Sequence, residues 1–424
     1  MNPPARPGTV WIVGGGLAGL SSAVALAGRG VQVELIEGAA QAGGRCRSYV
    51  DPVLDMTIDN GNHLVLSGNR ATFAYLRAIG AEDRMAGPET ARFDYHDVRT
   101  GEAWTIRPNE GPLAWWVLAK DRRVPSTTAG DYLSLLAFLN PGANKRIDEV
   151  IACSGHLWDR LLQSFLLAAL NTDPAGASAA LAGAVIRETL VKGGRHYRPR
   201  IAHPSLAAAF IEPALAFLAQ KGATVRLGQR VRSARYDGDR ITALSLPEDE
   251  IRVGPNDAVV VATPPWISQT LVPDLTVPDR FTPIVNAHFK VTPPPGAASM
   301  VGVIGGKAEW IFAFEDRISV TVSGADHLVD LDREALAEMF WRDIAAVHGL
   351  GEQPPAWQIV KERRATFEAT PEQNAKRPGA RTRWRNLILA GDWTDTGLPA
   401  TIEGAIRSGD KAAGLAFDAL SSGN

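Results

Sequence analysis

The chain has 424 residues, 45% of them apolar, with 44 basic side chains against 46 acidic ones and a net charge of −2. That length and composition suffice for large cores and two domains and exclude a disordered or fibrous chain, while the near-neutral balance offers no electrostatic footprint for nucleic acid. Two cysteines, Cys46 and Cys153, exclude a disulfide scaffold and a zinc cluster and fit a reducing, cytoplasmic setting.

Residues 1–8 lack the basic-then-apolar build of a secretory signal. Residues 9–13 read as a buried strand, followed by a glycine turn, a small-residue helix over 17–29 and a second strand over 31–37. This βαβ unit of about 30 residues implies an α/β, doubly wound layer with a parallel sheet. From about residue 68 to 199 tryptophans, prolines and helical periodicity dominate, notably at 131–140 and 156–171, so the stretch reads as a mostly helical insertion. Strands are predicted at 223–227, 230–236, 240–246 and 257–262, the last stopped by Thr263-Pro264-Pro265. Further strands are predicted at 283–292 and 310–322, a helix at 333–347, and a short buried strand at 386–390 that ends in Gly391-Asp392. The expected division is a discontinuous nucleotide-binding domain (1–67, 200–265 and 375–424) and a second, α+β domain (68–199 and 266–374). The apolar runs 161–170 and 206–219 fall short of the roughly 20 residues that cross a bilayer, so no span is expected.

Gly14-Gly15-Gly16-Leu17-Ala18-Gly19 matches G-x-G-x-x-G, sits between a strand and a helix, and is followed 18 residues past Gly19 by Glu37 at the end of the next strand. The glycines allow the turn, the approach of a pyrophosphate to bare backbone and close helix packing. The helix N-terminus favours phosphate, and Glu37 can accept ribose hydroxyls while disfavouring a 2′-phosphate. Gly43-Gly44-Arg45 adds a second glycine turn and a guanidinium suited to pyrophosphate, which points to FAD rather than NAD. Asp392, after Gly391, suits ribityl hydroxyls. The segment from Leu398 to Ala405 reads as a helix start with Pro399 in its first turn, aimed at the flavin pyrimidine.

These segments, with Asp59-Asn60-Gly61-Asn62-His63, Val259 to Pro265 and Ala390 to Gly404, resemble the flavin amine oxidase and carotenoid desaturase superfamily over almost the whole chain. Leu157-Trp158-Asp159-Arg160, Ala169 to Pro174 and Trp393 to Pro399 resemble the squalene-associated subgroup within it, the hydroxysqualene dehydroxylases of hopanoid synthesis. The resemblance implies an amine oxidase-like fold with a Rossmann-like FAD-binding domain, and a reductive reaction in which hydroxysqualene loses its hydroxyl and gains a hydride from FADH2. It also implies adenine contact at the backbone of Val231, on a strand, and flavin contacts at Thr401 and Ile402. Squalene-pathway enzymes are the implied protein partners.

The reaction needs a proton donor, and the candidates are His63, Asp395 and Glu403, each open to tuning toward neutral pH by burial. The bland alternatives stand beside them: His63 as a satisfied core histidine, Asp395 as a turn cap and Glu403 as an anchor of its helix start. Cys46 reads as a packing residue, and no cysteine lies near the C-terminal flavin segment, so FAD is expected to be non-covalent. Only one dinucleotide fingerprint occurs, so electrons enter either from transient NAD(P)H or from a separate reductase. Trp115 and Trp116 beside Lys120, Arg122 and Arg123 read equally as a peripheral contact with an anionic membrane face or as a packed helix. A carotenoid-type desaturase, an amine oxidase and a non-catalytic flavin module remain rival readings.

Overall fold

The computed structural model describes residues 8–421; residues 1–7, where no secretory signal is read, lie outside the described residues. Five short parallel strands form the nucleotide-binding sheet, in the order Thr224–Arg226, Gln32–Ile36, Thr9–Val13, Ala258–Val261, Leu387–Leu389. The Val, Ile and Leu side chains of the four strands inside the edge strand Thr224–Arg226 are buried on both faces, as a parallel layer covered by helices requires. Val13 pairs with Ile36 and with Val261, and Val261 with Leu389. The strands therefore end together, and the loops after Val13, Ile36, Val261 and Leu389 gather along the carboxyl edge, where open α/β sheets bind ligands.

Helix Leu17–Ala27 is apolar or small almost all round because it is clamped between this sheet and the C-terminal helix Ile402–Ser421. Ser21 donates to the Ile406 carbonyl at 3.2 Å and Ser22 to that of Gly409 at 2.7 Å. A Cβ on Gly409 would stand 1.9 Å from Ser21 Oγ, so only glycine allows this approach.

The second sheet has seven strands, in the order Trp357–Phe367, Phe281–Phe289, Ile318–Val322, Trp310–Ala313, Met300–Ile304, Phe93–Asp97, Glu102–Ile106. Helix Arg333–His348 covers one face, packing Leu336, Phe340 and Ile344 with Val285, Ala287, Ile311 and Val320. The opposite face carries a cross-strand row of Asn286, Thr321, Trp310, Gly302, Tyr95 and Trp104. Its tryptophans and Tyr95 pack into one core with Leu162, Leu166 and Leu170 of the helical region.

Three expectations are corrected here. The stretch 68–199 is not chiefly helical at its start: Phe93–Asp97 and Glu102–Ile106 form a hairpin of the second sheet, and their mixed polar and aromatic sequence signals a strand only once a neighbour buries it. Residues 310–322 form two antiparallel strands rather than one. Met300–Ile304 and Trp357–Phe367 are strands that periodicity did not single out.

Candidate functional site: a dinucleotide cradle at the sheet edge

Gly14 has φ +111°, and a Cβ there would meet the Ala262 carbonyl oxygen at 2.6 Å. A Cβ on Gly19 would meet the Gly14 oxygen at 1.9 Å, whereas one on Gly16 would meet nothing within 4 Å. Gly14 and Gly19 thus serve the fold, and Gly16 faces open space. The second glycine turn lies against the first: Gly43 N–H donates to the Gly15 carbonyl at 2.8 Å, and a Cβ on Gly44 would stand 3.5 Å from Gly16 Cα. Helix Leu17–Ala27 starts at this floor. The N–H groups of Leu17, Ala18 and Gly19, being first-turn amides, have no carbonyl four residues back within the helix.

Glu37 stands at the rim, its carboxylate accepting from Gly15 N at 2.6 Å and Ala39 N at 2.7 Å. Residues 228–231 run beside it, with Gln229 N donating to the Glu37 carbonyl at 2.9 Å. Val231 is buried but precedes its strand, which begins at Ser233; the expectation that Val231 lies on a strand is corrected, because the chain here follows Glu37–Ala39 before pairing.

Arg45 crosses the site. Its Nη2 donates to both oxygens of buried Asp392 at 2.7 Å, and its Nη1 donates to the Ala365 carbonyl. The guanidinium expected at pyrophosphate is thus paired with the carboxylate expected at the ribityl chain. Gly391, with φ +147°, donates its N–H to Ser408 of the C-terminal helix at 2.8 Å. Arg377, which sequence reasoning missed, holds the loop from within: it donates to the Asp392 and Thr394 carbonyls and to Thr396 Oγ1 at 2.9 Å. Burial pulls its guanidinium down to about 10. It remains a cation at neutral pH, and the carbonyls and hydroxyl around it accept its N–H hydrogen bonds.

Thr401 caps the C-terminal helix, its Oγ1 accepting from Gly404 N at 3.0 Å. The helix begins at Ile402, three residues beyond Pro399, so the expected proline in the first turn is corrected: the hydroxyl cap, rather than a fixed proline φ, starts the helix.

The three acid candidates part company. Glu403 is 3% exposed and fully engaged, accepting from Ala71 N (3.1 Å), Thr72 N (2.9 Å), Thr72 Oγ1 (2.7 Å) and Arg407 (3.0 Å). It caps a neighbouring helix, Arg70–Ala78, rather than its own. Asp395 is exposed, with its own N–H on the Pro378 carbonyl at 2.8 Å. His63 is half-buried; burial, with the nearby Arg45 cation, pushes its imidazole down to about 4. The ring is therefore neutral near pH 7 and carries no imidazolium proton; burial moves its titration away from neutral pH rather than toward it.

Behind residues 60–63 the second sheet supplies a buried amide network. Asn62 Nδ2 donates to Thr321 Oγ1 at 3.1 Å, Thr321 to Asn286 Oδ1 at 2.8 Å, and Asn286 to the Asn60 carbonyl at 3.3 Å. Asn286, a lone amide in an apolar strand, was the sequence signal for it. Among the described residues no cluster of His, Cys, Asp and Glu could hold a metal ion.

A bare-backbone floor at a helix start, an acid at the next strand end and a distant loop tied to the second glycine turn through Arg45–Asp392 fit a dinucleotide cofactor with a second, ring-bearing half. Together with the second sheet they define an FAD-dependent oxidoreductase. The model of the flavin containing amine oxidoreductases matches residues 17–416, and the chain belongs to that family. Within it the chain belongs with the hydroxysqualene dehydroxylases: it is 51% identical over 412 residues to that enzyme of Rhodopseudomonas palustris and 50% identical over 411 to that of Sinorhizobium fredii, each match covering 97% of this chain and 99% of the relative. The fold is also that of cyclohexylamine oxidase from Brevibacterium oxydans, with a TM-score of 0.73 at 14% identity, covering 97% of this chain and 99% of that one.

Proposed function

We propose that this chain reductively removes the hydroxyl of hydroxysqualene, releasing squalene and water. The observation that carries the reading is half-identity to hydroxysqualene dehydroxylases along nearly the full length of both chains. Reduced FAD, when bound, would supply a hydride, two electrons with one proton, to the carbon that loses oxygen.

The protein's own part follows from the residues in place. The amides of Leu17, Ala18 and Gly19 and the open side of Gly16 bind diphosphate oxygens. Glu37 holds ribose hydroxyls, and the backbone at Val231 borders the adenine. Asp392, Thr401 and Ile402 border the ring-bearing half, and the Arg45–Asp392 pair fixes the loop there. The wall of Tyr95, Trp104, Trp310 and Phe312 excludes water, and its aromatic faces favour a developing allylic cation. Anaerobic, dithionite-reduced protein mixed with hydroxysqualene is expected to yield squalene as the flavin reoxidises. Oxidation of squalene or phytoene to a polyene by the oxidised protein would instead mark a desaturase.

The substrate resides in lipid, and one face suits loading from it. Leu113 is 79% exposed, Trp115 53% and Leu118 71%, with Leu133 and Leu136 exposed on the adjoining helical turn Ala129–Leu139. Arg122 stacks over Trp115 at 4.7 Å, and Pro112, Leu113 and Trp115 line a groove of about 790 Å³. Trp116 belongs to the core instead, 6% exposed and edge-on to Tyr132. Peripheral docking of this face on an anionic bilayer predicts that the triple change L113S/W115S/L118S cuts co-flotation with anionic liposomes by about tenfold or more, each buried side chain contributing roughly 1.5–3 kcal/mol. Unchanged flotation with folded protein would remove the face from the mechanism. Among the described residues no helix is long and apolar enough to cross a membrane.

A further inference from the structure

The reaction consumes a proton at the leaving hydroxyl; Glu403 is taken up by helix Arg70–Ala78, the His63 ring is neutral near pH 7, and Asp395 lies exposed to solvent. The second sheet holds another acid. Glu309 stands between strands Met300–Ile304 and Trp310–Ala313, is 7% exposed, and makes no ion pair among the described residues. One oxygen, Oε2, accepts from Ser323 N at 2.6 Å, which anchors the side chain. The other, Oε1, is buried with no hydrogen-bond partner, and the indole N–H of adjacent Trp310 is buried and unpartnered too. The Trp310 indole N–H and the Ser323 hydroxyl both face the carboxyl as hydrogen-bond donors that favour its charged form, the indole falling short of a full hydrogen bond. A carboxyl needed only to anchor the Ser323 turn would require one oxygen, and an amide would serve.

The position relative to the cofactor cradle follows from strand register. Trp310 pairs across the sheet with Thr321, and Thr321 is bonded to Asn62, in the segment 60–63 that borders the Arg45–Asp392 end of the site. Ser323, which holds Glu309, lies two residues beyond Thr321. The Glu309 carboxyl interacts with Tyr95 and the Trp310 indole of the aromatic row, and Trp310 is one strand pair from the residue that Asn62 contacts.

We infer that Glu309 is the proton donor to the leaving hydroxyl, an inference that rests on the proposed dehydroxylation. Its carboxyl O–H passes a proton to the allylic hydroxyl, the C–O bond breaks with its electron pair on oxygen, and water leaves. The two-electron reductant is the reduced FAD of the reaction, and the Glu309 carboxylate regains a proton from water between turnovers. Burial pushes the Glu309 carboxyl up to about 7, the Ser323 N–H opposing, so a large fraction is protonated at neutral pH. The titratable group that faces it from strand Phe93–Asp97 is Tyr95, itself pushed up by burial and neutral throughout this range. The protonated form is the donor, so the rate falls as pH rises through about 7.

The test compares wild type with E309Q, which keeps an acceptor for Ser323 N, and with E309D. With flavin content and melting temperature unchanged, single-turnover squalene formation by reduced E309Q is expected to drop about 100-fold or more, with partial recovery in E309D and loss of the alkaline limb. Independently of turnover, carbon-13 NMR of glutamate-labelled protein should show one carboxyl titrating near neutrality that is missing in E309Q. If wild type makes squalene and loaded E309Q matches it, or if that titrating carboxyl is absent, Glu309 is not the donor while the dehydroxylation stands. If wild type makes no squalene, the reaction itself and this inference fall together.

Discussion

G16V protein is expected to fold and to come off purification colourless. Gly16 has φ −74° and ψ 178°, an extended conformation open to any residue, and a Cβ there touches nothing within 4 Å. The added methyls instead fill the space over the first-turn amides where the diphosphate lies. Loss of two amide–phosphate bonds, at roughly 1.5–3 kcal/mol each for charged acceptors, weakens FAD binding by about 100-fold to 10,000-fold. Titration of apoprotein with FAD, followed by quenching of flavin fluorescence, measures this. G19A provides the contrast, since its Cβ would strike the Gly14 carbonyl at 1.9 Å and should lower the melting temperature of the apoprotein itself. Full flavin occupancy in G16V would remove the cradle from the proposal.

E403A is expected to lose about 2–4 kcal/mol of stability, the scale of leaving two helix-terminal N–H groups without acceptors. The carboxylate takes two amides and a hydroxyl of helix Arg70–Ala78 and also Arg407, which is bidentate to Glu188 of helix Ala179–Glu188 at 2.8 Å. Removing it orphans two helix-terminal N–H groups and leaves Arg407 with one partner instead of two, so three helices lose a common tie. Urea unfolding of the apoprotein reads the loss, and E403Q, which keeps an acceptor, should lose less. A fall in turnover per bound flavin in E403Q at unchanged stability would instead return Glu403 to the chemistry.

The nucleotide-binding half was legible because its recognition is done by backbone. Turn, helix start and strand end are adjacent in the chain, so the spacing of Gly14, Gly16, Gly19 and Glu37 carries their geometry. The second sheet was half legible: apolar runs marked Phe281–Phe289 and Ile318–Val322, but Phe93–Asp97 and Glu102–Ile106 interleave charged with aromatic side chains and read as a strand pair only when assembled. Among the acids, position in a motif did not show what surrounds the side chain. Glu403 sits in such a motif and is spent on a helix, whereas Glu309 sits between two strands with no motif around it.

By itself the sequence determined the βαβ unit, the cofactor class and the family, since each depends on residues whose order along the chain is also their order in space. Tertiary structure alone decided that Arg45 meets Asp392 across 347 positions, that Glu403 reaches Thr72 across 331, and that one oxygen of Glu309 is left dry and unpaired. Ion pairing, desolvation and the acidity they set depend on what closes around a side chain, and that surrounding is assembled from segments far apart in the chain.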